Sequence, residues 1–212
     1  MANEKEPVYK EVSELEFTLG VNMLVSETGA NVNPYELRNA AILQEKKRVI
    51  LYRNGHTVKD ATGRALEAEA AKNIPHSRKL SGNMRKARPN EKRPPNTDAH
   101  HIVSVKHPAA ERARAILFRN GIGINDADNG VYLPSKNDIK VKQLPNAHPH
   151  KTVHTATYYL NTARDLGEAE SEIPILDITR ELQQSERGGE QSIRETLRYI
   201  ADDLQDGTYP IR

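Results

Sequence analysis

The sequence predicts an α+β fold in which two short strands and a following helix form a small unit inside a mostly helical chain. Three observations predict it. His100-His-Ile-Val-Ser-Val105 is a short β-rich run, and Gly130-Val-Tyr-Leu-Pro134 is a second one closed by proline. His150 to Leu166 then carries helical periodicity, with Gly167 just past its end. Around this unit the chain divides into a mixed, helical N-terminal region (1–75), a central module (76–167) and an acidic helical C-terminal extension (168–212).

Taken in order, residues 1–14 are polar and acidic and read as a loose arm. Residues 15–25 alternate partly and read as a strand. Asn33-Pro34 reads as a helix start, an Asn cap followed by Pro at the first helical position. That helix is expected to run from Pro34 to Arg53, stopped by Asn54-Gly55. A second helix is expected over 63–73, where Ala and Glu are dense. Residues 74–97 hold Pro75, Pro89, Pro94 and Pro95 among many charges and read as a loop or linker. The first strand follows. Pro108 to Asn120 has helical spacing and ends at Gly121. After the second strand and a lysine-rich loop comes the helix from His150. Beyond Pro174, two acidic amphipathic helices are expected near 177–187 and 190–205.

Composition narrows the function. Of 212 residues, 36% are hydrophobic and 5% aromatic, a lean core that implies solvated arms or surfaces awaiting a partner. There is no cysteine, which excludes disulfides, thiolate nucleophiles and cysteine-bound zinc. The charged start has no apolar segment of the Sec signal type, and no apolar run approaches the roughly 18–20 residues that span a bilayer. The initiator Met and polar start are those expected of a whole small protein, exported, if at all, by a specialised route. The net charge of +2 says less than its distribution. Basic residues crowd Lys72 to Arg93, whereas acids dominate Glu168 to Asp206, an asymmetry typical of nucleic-acid binding. Arg78, Lys79, Arg85, Lys86, Arg88 and Lys151 are the candidate phosphate contacts.

Four of the eight histidines fall into two compact sets. His100 and His101 are adjacent at the start of a strand, so their side chains point to opposite faces. His150 and His154 are four apart on an expected helix, where β-carbons lie about 6 Å apart and two imidazoles can grip one ion. A third imidazole from the strand would complete three protein ligands and leave positions open for water and phosphate. Phosphodiester hydrolysis needs such an ion and a base for the attacking water, and a neutral imidazole suits the base. Asn129 is a candidate to orient that base through its side-chain carbonyl. His148 reads as a loop histidine or a replacement ligand, and His107 as a turn residue. His56 and His76 have no visible partners. Tyr158 and Tyr159 read as core residues. Asp126-Ala-Asp128-Asn129-Gly130 has the start of a calcium loop, but Asn137 stands where the bidentate Glu would be needed.

The ordered set Asp98-Ala99-His100-His101-Ile102-Val103, Gly121 to Pro134, and His150-Lys-Thr-Val-His154 through Tyr159 resembles the AHH family of HNH/endonuclease VII nucleases. The resemblance covers roughly Leu80 to Leu166. It implies a ββα-metal, HNH or treble-clef-like finger. It also implies His101 as general base, Asn129 as the residue orienting it, and His100, His150 and His154 as ligands of one divalent metal ion. Ligand type favours zinc or another transition ion, while many relatives work with magnesium; nickel and manganese are further candidates.

That family is known chiefly as toxin domains of bacterial secretion systems, type VI among them. The expectation is therefore a DNase of little sequence preference, made in a bacterial cytoplasm and delivered into target cells. Its partners would be DNA, a cognate immunity protein, and a secretion adaptor or chaperone. The alternatives are a phage or mobile-element endonuclease with a specific substrate, and a non-catalytic module stapled by a metal, with His148 as fourth ligand.

Overall fold

The computed structural model describes residues 50–58, 61–171 and 182–212, with side chains from 189 onward in the last stretch. The arm over 1–14, the strand expected over 15–25 and most of the helix expected from Pro34 to Arg53 lie outside the described residues. Residues from Ile50 to Arg212 belong to one compact unit.

Strands β1 (Tyr52–Arg53) and β2 (His56–Thr57) pair antiparallel across Asn54-Gly55. The sequence expectation placed a helix end here; the structure has a hairpin turn instead. Both turn residues have positive φ, 49° and 86°, as a two-residue turn of the mirror-image type requires. A side chain at Gly55 would also strike the Asn83 carbonyl 2.2 Å away, so the hairpin tip can press onto the helix that carries Asn83 only as glycine. The Gly55 carbonyl accepts from Ala127 N at 2.9 Å.

Helix α1 spans Gly63–Ala70, its first turn capped by the Thr62 hydroxyl accepting from Ala65 N at 3.2 Å. Helix α2 spans His76–Ala87. This corrects the linker expected over 74–97. Pro75 stands just before the helix and Pro89 beyond its end, where proline is tolerated, so neither interrupts the ladder. His76, Leu80, Asn83 and Met84 are buried at helical spacing. Leu80 and Met84 form a small core with Ala99 and Tyr132.

Strands β3 (Thr97–His101) and β4 (Gly130–Pro134) form an antiparallel sheet with His100 opposite Val131 and His101 opposite Gly130. Gly130 has no Cβ because one would lie 2.7 Å from Met84 Sδ and 2.8 Å from Leu80 Cδ1, so α2 packs directly against the sheet. A 3₁₀ turn (Pro108–Ala110) leads into α3 (Glu111–Arg119). Helix α4 covers Ala156–Ser171, and α5 covers Leu182–Asp206.

The main core joins α1, α3, α4, α5 and β4. Leu66 of α1, Ile116 and Leu117 of α3, Tyr158 and Leu166 of α4, and Ile193, Leu197, Ile200 and Leu204 of α5 are buried in one cluster with Ile102, Val131 and Leu133. The boundaries expected at 75/76 and 167/168 therefore do not divide the described fold: α5 is a wall of the same core, and its apolar residues recur at helical spacing. Among the described residues the C-terminal stretch is a single helix rather than a pair.

Candidate active site

The pleat of β3 separates two histidines that are neighbours in sequence. His100 faces the segment that leads into α4, its ring centroid 4.9 Å from that of His150 and 5.1 Å from that of His154. His101 faces α2, with its centroid 6.5 Å from that of His76. Opposite directions for adjacent strand residues follow from the period of two.

His100, His150 and His154 each offer a ring nitrogen, and these atoms lie within 4.8 Å of one another. The route to this convergence differs from the helical pairing expected from the His150-x3-His154 spacing. His150 sits in a 3₁₀ turn (His150–Thr152), and His154 precedes the first residue of α4. Pro149 stands immediately before that turn, and Val153, the residue that follows it, is fully buried and anchors the segment between the two histidines.

Each ring is held from outside. The Tyr158 hydroxyl donates its single proton to the Ile102 carbonyl at 2.7 Å. Its oxygen therefore accepts from His100 Nε2 at 3.1 Å, which leaves the Nδ1 lone pair of His100 for an ion. His154 Nδ1 lies 2.8 Å from the Tyr159 hydroxyl, and His150 Nδ1 lies 3.8 Å from Asp98 Oδ2. Outer partners of this kind fix ring orientation at metal-ligating histidines. Burial, reinforced by the other imidazoles, pushes His100 well below the usual histidine range. Burial also lowers His150, against the pull of Asp98, and lowers His154 together with His150 and His107. Three neutral, convergent imidazoles, one of them only 1% exposed, fit a transition-type divalent cation.

His148 does not join them. Its Nε2 is 3.0 Å from the Tyr209 carbonyl, which ties the ring to the C-terminal segment. His107 begins the 3₁₀ turn and stacks on Tyr159 with centroids 4.2 Å apart.

On the other face, His101 is 8% exposed, and burial pushes its imidazole down to about 4, with the Asn125 hydrogen bond opposing. It is therefore neutral near pH 7. Its contact is not the expected one. Asn129 accepts from Val103 N at 2.7 Å and donates to the Ile124 and Val103 carbonyls at 2.8 and 3.3 Å. With all its polar atoms turned to backbone, Asn129 pins the end of β3 to the loop before β4 and does not touch the His101 ring. Asn125 Oδ1 lies 3.3 Å from His101 Nε2 instead.

The loop carrying Asn125 and Asn129 is clamped from α5. Arg194 reaches Asp126 at 2.9 Å and Asp128 at 2.8 Å, and Arg198 reaches Asp128 at 3.1 Å. His56 Nδ1 joins at 3.2 Å from Asp126. Burial alone would raise the Asp126 carboxyl, but hydrogen bonds from His56, Arg194 and Thr57 outweigh it and hold the group at about 2. The same carboxylates hold His56 up at about 9. His56, Asp126 and Asp128 are close enough to suggest a second ion site, yet the guanidiniums already neutralise this cluster.

Two neighbouring histidines, one aimed into an imidazole cluster and one held on a relay of buried polar groups, are the Ala99-His100-His101 triplet seen in three dimensions. A model of the AHH family, a nuclease family of the HNH/ENDO VII superfamily with conserved AHH, matches residues 81–204. The chain belongs to the AHH nuclease family. It is accordingly a nuclease with a nucleic-acid substrate and a metal-dependent chemistry. No curated protein and no solved structure matches it. Measured against that match, α5 lies within the AHH nuclease over nearly all its length, whereas β1, β2, α1 and His76 lie before it.

Around the AHH centre the expected cations are placed unequally. Arg78, Arg85 and Lys86 are exposed on α2, and Lys151 is exposed beside His150. Lys79 is engaged: it pairs with buried Glu69 and lies 4.9 Å over the Tyr52 ring. Arg88 is half-buried and 4.0 Å from Glu91. Sequence reasoning missed Asn125, His76, Tyr158 and Tyr159 as ring holders. Asn125 lies within a dense polar run just before Asn129, a visible signal; the others depend on contacts remote in sequence.

Proposed function

We propose that the protein is a metal-dependent endonuclease that hydrolyses DNA with little sequence preference. The observation that carries this reading is the convergence of His100, His150 and His154 on one side of β3 with neutral His101 on the other. A divalent cation held by the three imidazoles would neutralise the scissile phosphate and the leaving oxygen. His101 takes a proton from the attacking water as its oxygen bonds to phosphorus and the bond to the leaving sugar oxygen breaks. Asn129 keeps the strand end in register beneath these groups by its backbone contacts.

Zinc or another transition ion suits an all-imidazole set better than magnesium does, and nickel or manganese would also be accepted. Three ligands, with His148 engaged elsewhere, support a catalytic centre over a structural staple. Plasmid nicking by the full chain tests the reading. Nicking that EDTA abolishes, that zinc or manganese restores, and that His101→Ala removes while metal still binds is the expected result. Undiminished nicking by His101→Ala overturns it.

The biological setting proposed is an antibacterial toxin effector. It is made in a bacterial cytoplasm and delivered into the cytoplasm of a target cell through a specialised secretion system, with an adaptor or chaperone. A DNase of this kind endangers its producer, so a cognate immunity protein is part of the proposal, and an acidic one would complement the exposed cations of α2. Among the described residues, no helix is long and apolar enough to cross a membrane. Expression without an inhibitor should degrade the chromosome and kill; a phage-type endonuclease would cut few sites.

A further inference from the structure

The His101 ring is the last member of a buried chain of hydrogen bonds that begins outside the span of the family match. His76 Nε2, on α2, lies 3.0 Å from the Lys72 carbonyl. A carbonyl only accepts, so Nε2 of His76 donates to it, and Nδ1 is the nitrogen that presents a lone pair. That lone pair lies 3.1 Å from Asn125 Nδ2 and accepts from it. The Asn125 Oδ1, also 3.2 Å from the same nitrogen, is thereby the end left to accept from His101 Nε2 at 3.3 Å. The backbone of Asn125 is fixed as well, its carbonyl accepting from Asn83 Nδ2 at 2.7 Å. His76, Asn83 and Asn125 are all buried. One acceptor-only backbone oxygen thus sets the polarity of every bond as far as His101.

We propose that Asn125 and His76 are positioning residues that hold His101 as its Nε2–H tautomer, so that Nδ1 is the nitrogen that takes the proton from water. This rests on the reading of His101 as the general base. A base with its proton on the wrong nitrogen keeps its place and loses its function, so the device acts on turnover and leaves substrate and metal binding alone. Asn125 supplies the orienting contact that Asn129 does not make. His76 fixes which end of the Asn125 amide faces the site, a choice that an unpartnered amide would leave open.

The test uses the full chain loaded with zinc. In ¹⁵N-histidine-labelled protein, long-range nitrogen–proton correlation spectra should show His101 and His76 both as Nε2–H tautomers, and Nδ1–H at His101 overturns the proposal with no variant needed. Asn125→Leu should lower kcat on duplex DNA by up to roughly 100-fold, a share of the roughly 100- to 10,000-fold that a positioned general base contributes, with KM and zinc affinity unchanged. His76→Leu should act in the same direction. His76→Gln, which still donates to Lys72 and accepts from Asn125, should recover most of the activity. If His101→Ala is inactive while Asn125→Leu and His76→Leu keep wild-type kcat, the relay is wrong and the general base stands. If His101→Ala is active, the general base itself falls.

Discussion

Arg194 on α5 lies 2.9 Å from Asp126, the residue next to Asn125, so the last helix grips the loop on which His101 leans. The Arg194 side chain is 11% exposed and that of Asp126 is fully buried. Breaking one side of a desolvated pair leaves an uncompensated charge. Arg194→Ala should therefore cost roughly 3–5 kcal/mol of stability, read from the urea midpoint. Arg119→Ala, which removes an exposed pair with Glu170, should cost less than about 1 kcal/mol. Equal effects of the two would contradict the clamp.

Tyr158 is the second point of leverage. Its hydroxyl serves His100 and the Ile102 carbonyl at once. Tyr158→Phe leaves that carbonyl buried without its donor, at a cost of about 1–3 kcal/mol. It also frees the His100 ring, so zinc affinity measured by competition with a chromophoric chelator should fall roughly 10- to 100-fold. A variant that binds zinc as tightly as wild type would show that the tyrosine serves packing alone.

The metal-free protein should lose stability on both sides of neutrality, for opposite reasons. His101 is held at about 4, below its ordinary 6.5, so the unfolded chain takes up the proton first as acid is added. Its contribution is complete above pH 6.5 and fades toward pH 4, amounting to on the order of 3 kcal/mol. His100 acts in the same sense. His56 is held at about 9, so its pairing with Asp126 and Asp128 is complete below pH 6.5 and is lost as pH rises through 9. Melting temperatures across pH 4–10 in EDTA check both limbs, and His56→Ala should flatten only the alkaline one.

The exposed cations of α2 predict a salt signature. Replacing Arg78, Arg85 or Lys86 by Ala should weaken DNA binding uniformly across sequences. Each cation removed from a phosphate should reduce the slope of log affinity against log salt by about one. Lys79→Ala should instead destabilise the fold, because Glu69 is 2% exposed and would be left without its cation. Filter binding from 50 to 300 mM salt, beside a melting curve, separates the two kinds of lysine and arginine.

Legibility in the sequence followed the range of the forces involved. Strand β4 was readable to its ends, because Gly130 and Pro134 punctuate a short apolar run. The opposite faces of His100 and His101 were readable from strand period, but the two residues close β3 where the sequence run from 100 to 105 had them open it. His150 and His154 were readable as partners, but the helix expected to pair them begins only at Ala156. Asn54-Gly55 serves equally as a helix stop and as a hairpin turn, and only the pairing of Tyr52 with Thr57 decides between them. The prolines of 74–97 suggested a linker because nothing local reveals that they flank a helix whose buried side meets β3. The side chain that meets His101 is Asn125, where the sequence pointed to Asn129, because only the folded course of the loop before β4 distinguishes the two. His76 was invisible: it meets Asn125 across a separation of 49 residues.

The Gly55 carbonyl that receives Ala127 N has a practical consequence. It makes the hairpin a buttress borrowed from outside the family's borders, and His76 is borrowed in the same way. A nuclease trimmed to residues 81–204 would keep every histidine of the cluster and forfeit the wall behind them. Grafting or minimising this enzyme therefore has to begin upstream of Tyr52, and portability ends where the hairpin is cut away.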